Sequence, residues 1–409
     1  MKKIEGGVVA AEGFKAAGLE VGIKANTIGK KDMAMIYSTV PCKVAGTFTT
    51  NVVKAAPVKY DMDIVENSPY VQAVVVNSGV ANACTGKEGM DSCKALSKAA
   101  GKSLNIPDNA VLIGSTGVIG MQLPTEKMTA GIEKLAAILG DTPADGTKAA
   151  EAIMTTDTVS KQIAFEVMIG GKKVKIGGMC KGSGMIHPNM CTMLAYITSD
   201  VNISKEMLTE IVKADVKDTF NMISVDGDTS TNDTMLVMTN GLAGNPEIKE
   251  KNDDYITFAK ALREVNTYLA KKMAGDGEGA TALFEVKVIG ADTKENAVTI
   301  SKSVVSSNLV KAMIYGHDSN CGRILCAMGY SGVQFDPDKV DLFYESRVGK
   351  IKIVENGVPT DYSEEEATRI LSEDEVTAIA DMKMGSEEAT AWGCDLTYDY
   401  VKINADYRS

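Results

Sequence analysis

The sequence predicts a mixed α+β or layered α/β fold with much antiparallel sheet. Three observations predict it. Short β-branched runs and 3.6-period amphipathic runs follow one another without a strict βαβα order. Some strand candidates are joined by turns too tight for a helix, as where Ile163–Ile169 meets 172–177 across Gly170-Gly171. The chain has 409 residues, 44% hydrophobic and 24% charged, enough for two or three core units of ordinary globular composition.

The helix candidates come from periodicity and caps. Residues 86–104 and 204–219 carry helical patterns. Thr125–Leu139 places Met128, Ile132, Leu135 and Leu139 on one face and stops at Gly140. Asp254–Met273 does the same with Phe258, Leu262, Val265 and Leu269. Ser363–Leu371 opens with Ser363 and Glu366 in capping-box register. The strand candidates are Tyr70–Asn77, Ala110–Ile113, Ile163–Ile169, Met193–Thr198, Met235–Thr239, Leu283–Ile289, Lys350–Val354 and Leu396–Ile403. Turn-rich breaks fall at 140–147, 244–254 and 333–339.

Composition excludes several classes. Net charge is −11 with no strong Lys/Arg run, which argues against a nucleic-acid partner. No apolar run of about 18 residues exists, so no membrane partner is expected. The N-terminus has two lysines but no apolar stretch behind them, so a cytoplasmic location is expected. Eight scattered cysteines fit reduced thiols, and the absence of CxxC excludes a zinc ribbon. Only His187 and His317 are available to a histidine-based triad. Gly101-Lys102-Ser103 lacks the first glycine of a P-loop, and Gly177–Gly184 lacks GxGxxG spacing.

The chemistry concentrates in Lys181-Gly182-Ser183-Gly184-Met185-Ile186-His187-Pro188-Asn189-Met190-Cys191-Thr192-Met193-Leu194. A glycine loop runs into Pro188-Asn189 and then into an apolar strand. The plain reading makes Thr192 an ordinary strand residue. The chemical reading makes it self-cleaving. Its hydroxyl attacks the Cys191 carbonyl, the ester hydrolyses, and Thr192 becomes a new N-terminus whose amine is its own base. The glycines suit the strained backbone that such an attack requires. Gly114-Ser115-Thr116-Gly117-Val118-Ile119-Gly120, after the strand Ala110–Ile113, is either a tight turn or an oxyanion hole. Asp226 to Asp233 holds three carboxylates, read as a solvated turn because the EF-hand pattern is not met; no metal is expected.

Ordered motifs from end to end then resemble one family. They include Gly13-Phe14-Lys15-Ala16-Ala17-Gly18, Phe48-Thr49-Thr50-Asn51, Ala81-Asn82-Ala83-Cys84-Thr85-Gly86, Gly114 to Gly120, Met154-Thr155-Thr156-Asp157-Thr158, Lys181 to Leu194, Asp226 to Asp233, Gly277-Glu278-Gly279-Ala280-Thr281 and Asn404-Ala405-Asp406-Tyr407. The sequence resembles the ArgJ family of glutamate N-acetyltransferases, also called ornithine acetyltransferases.

The resemblance implies an α-β-β-α sandwich like that of the N-terminal-nucleophile hydrolases, in two subdomains. It implies self-cleavage at Cys191–Thr192 into an α chain, 1–191, and a β chain, 192–409, with a C-terminal subdomain from about 280. Thr192 would be the nucleophile, with Thr116 and Gly117 as the oxyanion hole. Thr158, Lys181, Thr192, Glu278, Asn404 and Ser409 would contact substrate. The implied reaction is a ping-pong transfer of acetyl from N-acetylornithine to glutamate in arginine biosynthesis. No metal or organic cofactor is implied, and some members also take acetyl-CoA as donor. The implied assembly is an α2β2 heterotetramer or larger.

Five positions depart from the family's usual residues: Val80 for Asn, His187 for Ala, Cys191 for Ala, Cys321 for Trp and Ser409 for Thr. Two rival readings stay open at this point. One is an amidohydrolase or aminopeptidase that passes the acyl group to water. The other is an uncleaved, non-catalytic binding protein.

Overall fold

A computed structural model describes residues 1–24, 29–187 and 193–405. The chain divides into two compact units. The first takes Met1–Gly182, Pro188–Asn221 and Thr229–Leu269; the second takes Ser183–His187, Met222–Asp228 and Ala270–Ser409. The α/β class expected from the sequence is borne out: each unit carries one sheet with helices.

In the first unit the strands lie in the order Lys2–Ile4, Lys161–Ile169, Lys172–Lys181, Leu194–Ser199, Thr234–Thr239, Met33–Phe48, Val71–Val80, Val111–Val118, and Phe14–Leu19 also pairs with Met33–Phe48. Most pairings are antiparallel. Two are parallel: Leu194–Ser199 beside Thr234–Thr239, and Val71–Val80 beside Val111–Val118. Alternate residues feed opposite faces. Ala34, Ile36, Val74 and Val76 join one core with Val8, Ala149, Leu194 and Tyr196. Met33, Met35, Ala73 and Val75 join the other with Leu96, Met128, Ile132 and Leu135. Burial on both faces explains the unbroken apolar run Ala73-Val74-Val75-Val76 within Val71–Val80.

Helices close these faces. Gly86–Leu104 packs on Thr125–Ala137, and Pro143–Ala152 packs on Phe14–Leu19. The helix Asp253–Gly275 buries Phe258, Leu262, Val265 and Leu269; the division between the units falls within it, after Leu269.

In the second unit the strand order is Val358–Pro359, Gly349–Glu355, Asp341–Ser346, Glu375–Asp381, Leu283–Ala291, Glu387–Cys394, Ile223–Ser224. The helix Lys294–Val305 lies against Leu283–Ala291 and Glu387–Cys394 and buries Ala297, Ile300 and Val304.

Three expectations need correction. The segment 396–403 is not a strand: Tyr398–Ala405 is a helix. None of its residues is buried, and Val401 is 65% exposed. The helix is fixed by polar contacts at helical spacing, such as Asn404 Nδ2 donating to the Tyr400 carbonyl at 3.0 Å. The break at 140–147 contains a helix start, because Thr142 caps Pro143–Ala152 with Asp145 in a full capping box. Thr, Pro and Asp serve a helix N-terminus as readily as a turn. Finally, Gly114–Val118 is no turn but the second half of the strand Val111–Val118. At Ser363 the backbone half of the capping box is present, with Glu366 N donating to its hydroxyl at 3.2 Å.

Candidate active site

In the first unit the strand Val111–Val118 builds the candidate oxyanion segment. Ile113 N donates to the buried Asp61 carboxylate at 2.8 Å. At Gly114 a Cβ would meet the Tyr196 hydroxyl at 2.0 Å, so only glycine leaves that ring its place. The Ser115 hydroxyl donates to Asn77 Oδ1 at 2.7 Å. The Ser115 carbonyl accepts from Asn232 Nδ2 at 2.8 Å, and the same amide group reaches the Ala81 carbonyl at 2.6 Å. Asn232 therefore locks this strand to the chain leaving Val71–Val80. Gly117 faces Gly79, has φ 130, and a Cβ there would sit 2.3 Å from the Gly79 carbonyl carbon. The close approach and the positive φ both require glycine.

Lys181 ends the strand Lys172–Lys181, and its ammonium donates to Thr116 Oγ1 at 3.3 Å. The lysine is 8% exposed. Its surroundings are organised by Asp157, whose Oδ1 accepts from Lys161 Nζ at 2.7 Å and from Gly182 N at 2.8 Å. Asp157 Oδ2 accepts from Thr155 N at 3.0 Å. Burial pushes the Asp157 carboxyl up, but Lys181 and Lys161 more than offset this and hold it down to about 2. One carboxylate thus faces two ammonium groups, and the surplus positive charge suits an oxyanion. Thr158, the next residue, is exposed.

Lys24 adds to this field. Its ammonium donates to the Met154 carbonyl at 2.8 Å and the Lys31 carbonyl at 3.1 Å. Burial lowers it to about 8, Asp32 opposing and Lys30 and Lys181 adding. Its Cγ lies 3.0 Å from where a Gly79 Cβ would stand.

In the second unit Glu278 is buried, at 6% exposure. Its N–H donates to the Ser183 carbonyl at 2.9 Å. Asn404 Nδ2 donates to Glu278 Oε2 at 2.7 Å. A Cβ at Gly184 would lie 2.3 Å from Glu278 Oε2, so this glycine makes room for the carboxylate. The segment Ser183–His187 is pinned along its length. The Ser183 hydroxyl donates to the Asp276 carbonyl at 2.7 Å. Met185 N and Ile186 N donate to the Asp226 carboxylate at 2.6 and 2.8 Å. Val225 N donates to the Ile186 carbonyl at 2.7 Å. His187 Nδ1 lies 3.0 Å from Ser224 Oγ, and burial, with Lys302 adding, lowers the imidazole against the pull of Asp226.

The predicted site residues fall into two groups: Thr116, Gly117, Thr158 and Lys181 in the first unit, and Glu278 and Asn404 in the second. Cys191, Thr192 and Ser409 lie outside the described residues. Asp226 to Asp233 is not simply a solvated turn. Asp226 holds the backbone of Met185 and Ile186, and Asp233 is 1% exposed. Sequence reasoning passed over Asp157, Lys161 and Asn232. Asp157 and Asn232 lie inside quoted motifs, and polar residues between apolar strands were the available signal. Among the described residues no cluster of metal-ligating side chains occurs, and no helix is long and apolar enough to cross a membrane.

Comparison with known proteins places this geometry in context. The model of the ArgJ family matches residues 15–409. The arginine biosynthesis bifunctional protein ArgJ of Thermotoga neapolitana is 52% identical over 398 residues, 97% of this chain and 99% of that one. Among solved structures, an arginine biosynthesis bifunctional protein from Bacillus halodurans is 45% identical over 51% of this chain and 97% of its own, with a TM-score of 0.49. An ornithine acetyltransferase of Mycobacterium tuberculosis, complexed with ornithine, is 39% identical over 45% of this chain and 95% of its own, with a TM-score of 0.42.

Proposed function

Since this chain belongs to the ArgJ family, we propose that it is a self-processing acetyltransferase of arginine biosynthesis that moves an acetyl group from N-acetylornithine to glutamate through acetyl-Thr192. The observation that carries this reading is the Lys181 ammonium on the Thr116 hydroxyl, 3.3 Å apart, beside a glycine strand with surplus positive charge.

Cleavage at Cys191–Thr192 releases the Thr192 amine. That amine takes the proton of the Thr192 hydroxyl as the oxygen bonds to the acetyl carbon. Negative charge then develops on the acetyl oxygen, and Thr116 and Gly117 receive it. The C–N bond to ornithine breaks, the proton passes to the leaving amine, and an ester remains on Thr192. The glutamate amine attacks this ester, the C–O bond breaks, and the hydroxyl regains its proton.

Lys181 favours the substrate carboxylate or the developing oxyanion. Glu278, with Asn404 on its carboxylate, holds the substrate ammonium, and Thr158 and Ser409 complete the contacts. The protein needs no metal or organic cofactor for these steps. Acetyl-CoA is a further donor to test. The proposed setting is the cytoplasm, as an α2β2 heterotetramer or larger.

The test is a transfer assay with labelled N-acetylornithine and glutamate. Labelled N-acetylglutamate is the expected product. Label released only as acetate would overturn transfer in favour of hydrolysis.

A further inference from the structure

Asn232 stands two residues before the strand Thr234–Thr239, which is paired on both sides, to Met33–Phe48 and to Leu194–Ser199. Its main chain is fixed there. Its N–H donates to Ser230 Oγ at 3.1 Å, and its carbonyl accepts from the Thr234 hydroxyl at 3.0 Å. The side chain is buried, at 7% exposure, and both ends of its amide are bonded. Nδ2 donates to the Ala81 carbonyl at 2.6 Å and the Ser115 carbonyl at 2.8 Å, and Oδ1 accepts from the Thr231 hydroxyl at 2.7 Å. Two carbonyls can only face the amide nitrogen, so the amide has one orientation, and the Thr231 hydroxyl holds it.

These bonds fall at a break in the sheet. The ladder between Val71–Val80 and Val111–Val118 shifts register at Gly79 and Val80. The strand Val111–Val118 is buried through Ser115 and half-buried from Thr116 onward. The Ser115 carbonyl belongs to the same planar peptide unit as the Thr116 nitrogen. Holding that oxygen therefore fixes the plane from which Thr116 extends, at the last buried residue before it. Where the regular ladder lapses, a side chain on a rigid neighbouring element supplies the fixed point.

We infer that Asn232 is a positioning residue for acetyl transfer, aiming Thr116 through the Ser115 peptide, with Thr231 orienting the Asn232 amide; the inference rests on the transfer proposed above. Asn232 reaches the reaction only through that peptide. An oxyanion donor is effective because it is already in place when charge develops, so the residue that holds it in place governs rate more than substrate affinity.

The experiment follows acetylation of the full chain by N-acetylornithine without glutamate, by intact mass against time, in wild type, Asn232→Ala, Thr116→Ala and the double variant. Rates are taken per cut chain over a series of donor concentrations. Asn232→Ala is expected to lose roughly 10–100-fold in rate at saturating donor, with the half-saturating concentration unchanged. In the Thr116→Ala background the same substitution should cost much less, because the group it aims is gone. A merely structural weakening would lower the rate alike in both backgrounds. Equal losses in the two backgrounds, or a wild-type rate in Asn232→Ala, would overturn the inference and leave the transfer itself standing. A wild-type chain that takes no acetyl group would instead sink the transfer. Should Asn232→Ala fail to fold or to be cut, Thr231→Val decides. It removes only the hydroxyl that orients the amide, and should give a smaller loss that also shrinks without Thr116; an unchanged rate in it counts against Asn232.

Discussion

The Lys181 ammonium donates to the Thr116 hydroxyl across 3.3 Å, joining the end of one strand of the first unit to the middle of another. If the two act on one developing oxyanion, their effects must be coupled. Thr116→Ala should lose roughly 10–1000-fold in kcat, as for an oxyanion-hole donor. Lys181→Met should fall in the same range. The double variant should lose clearly less than the product, with a coupling of about 0.5–3 kcal/mol in the cycle. Strict additivity of the two rate losses would show that they serve separate steps.

Two glycines should fail in different ways. At Gly117 an added Cβ meets the Gly79 backbone at 2.3 Å, and the φ of 130 disfavours any side chain. Gly117→Ala should therefore destabilise the fold, by roughly 1–3 kcal/mol from the backbone strain alone. At Gly184 the added Cβ meets the Glu278 carboxylate, the movable end of a side chain. Gly184→Ala should keep its urea midpoint and raise KM for N-acetylornithine toward that of Glu278→Gln. A destabilised Gly184→Ala with normal KM would refute the role given to Glu278.

Asp157 predicts an acid-dependent loss of stability. Its carboxyl is held down to about 2 in the folded chain, against about 3.9 unfolded. A depressed carboxyl adds stability that is full above about pH 4 and lost as pH falls toward 2. Asp157→Asn removes the carboxylate that faces the buried Lys161 ammonium, and should cost roughly 3–5 kcal/mol at neutral pH. It should also flatten the stability curve below pH ~4. Urea titrations from pH 7 downward measure both; an unchanged acid slope in the variant would remove Asp157 from the account.

Asn404 should be a smaller contributor. Its side chain donates to Glu278 at 2.7 Å from the exposed helix Tyr398–Ala405. Asn404→Ala should cost one hydrogen bond to a charged group, about 1.5–3 kcal/mol at most. The loss should appear in KM for N-acetylornithine and leave kcat nearly intact, measured with saturating glutamate. A fall in kcat alone would separate Asn404 from substrate binding.

Much of this fold was legible because periodicity and burial agree. The helix Gly86–Leu104 falls where its pattern put it, and Asp253–Gly275 buries the four apolar residues chosen for its face. The strand Met33–Phe48 was not recognised, since Pro41 and the mixed run around it obscure alternation. Tyr398–Ala405 was misread because β-branched and aromatic residues mimic a strand when their anchors, Asp226 and Gly279, are far off in sequence. Thr116, Gly117, Lys181 and Glu278 were visible only as members of motifs. Asp157 owes its place to burial beside Lys161 and Lys181, which spacing along the chain does not reveal.

The central claim is that Thr192 becomes a terminal nucleophile that carries the acetyl group. The direct measurement is intact mass under denaturing conditions, before and after exposure to N-acetylornithine without glutamate. The account predicts two fragments with the cut between Cys191 and Thr192, and a gain of one acetyl group on the fragment that begins at Thr192. A single unmodified chain of 409 residues would contradict it.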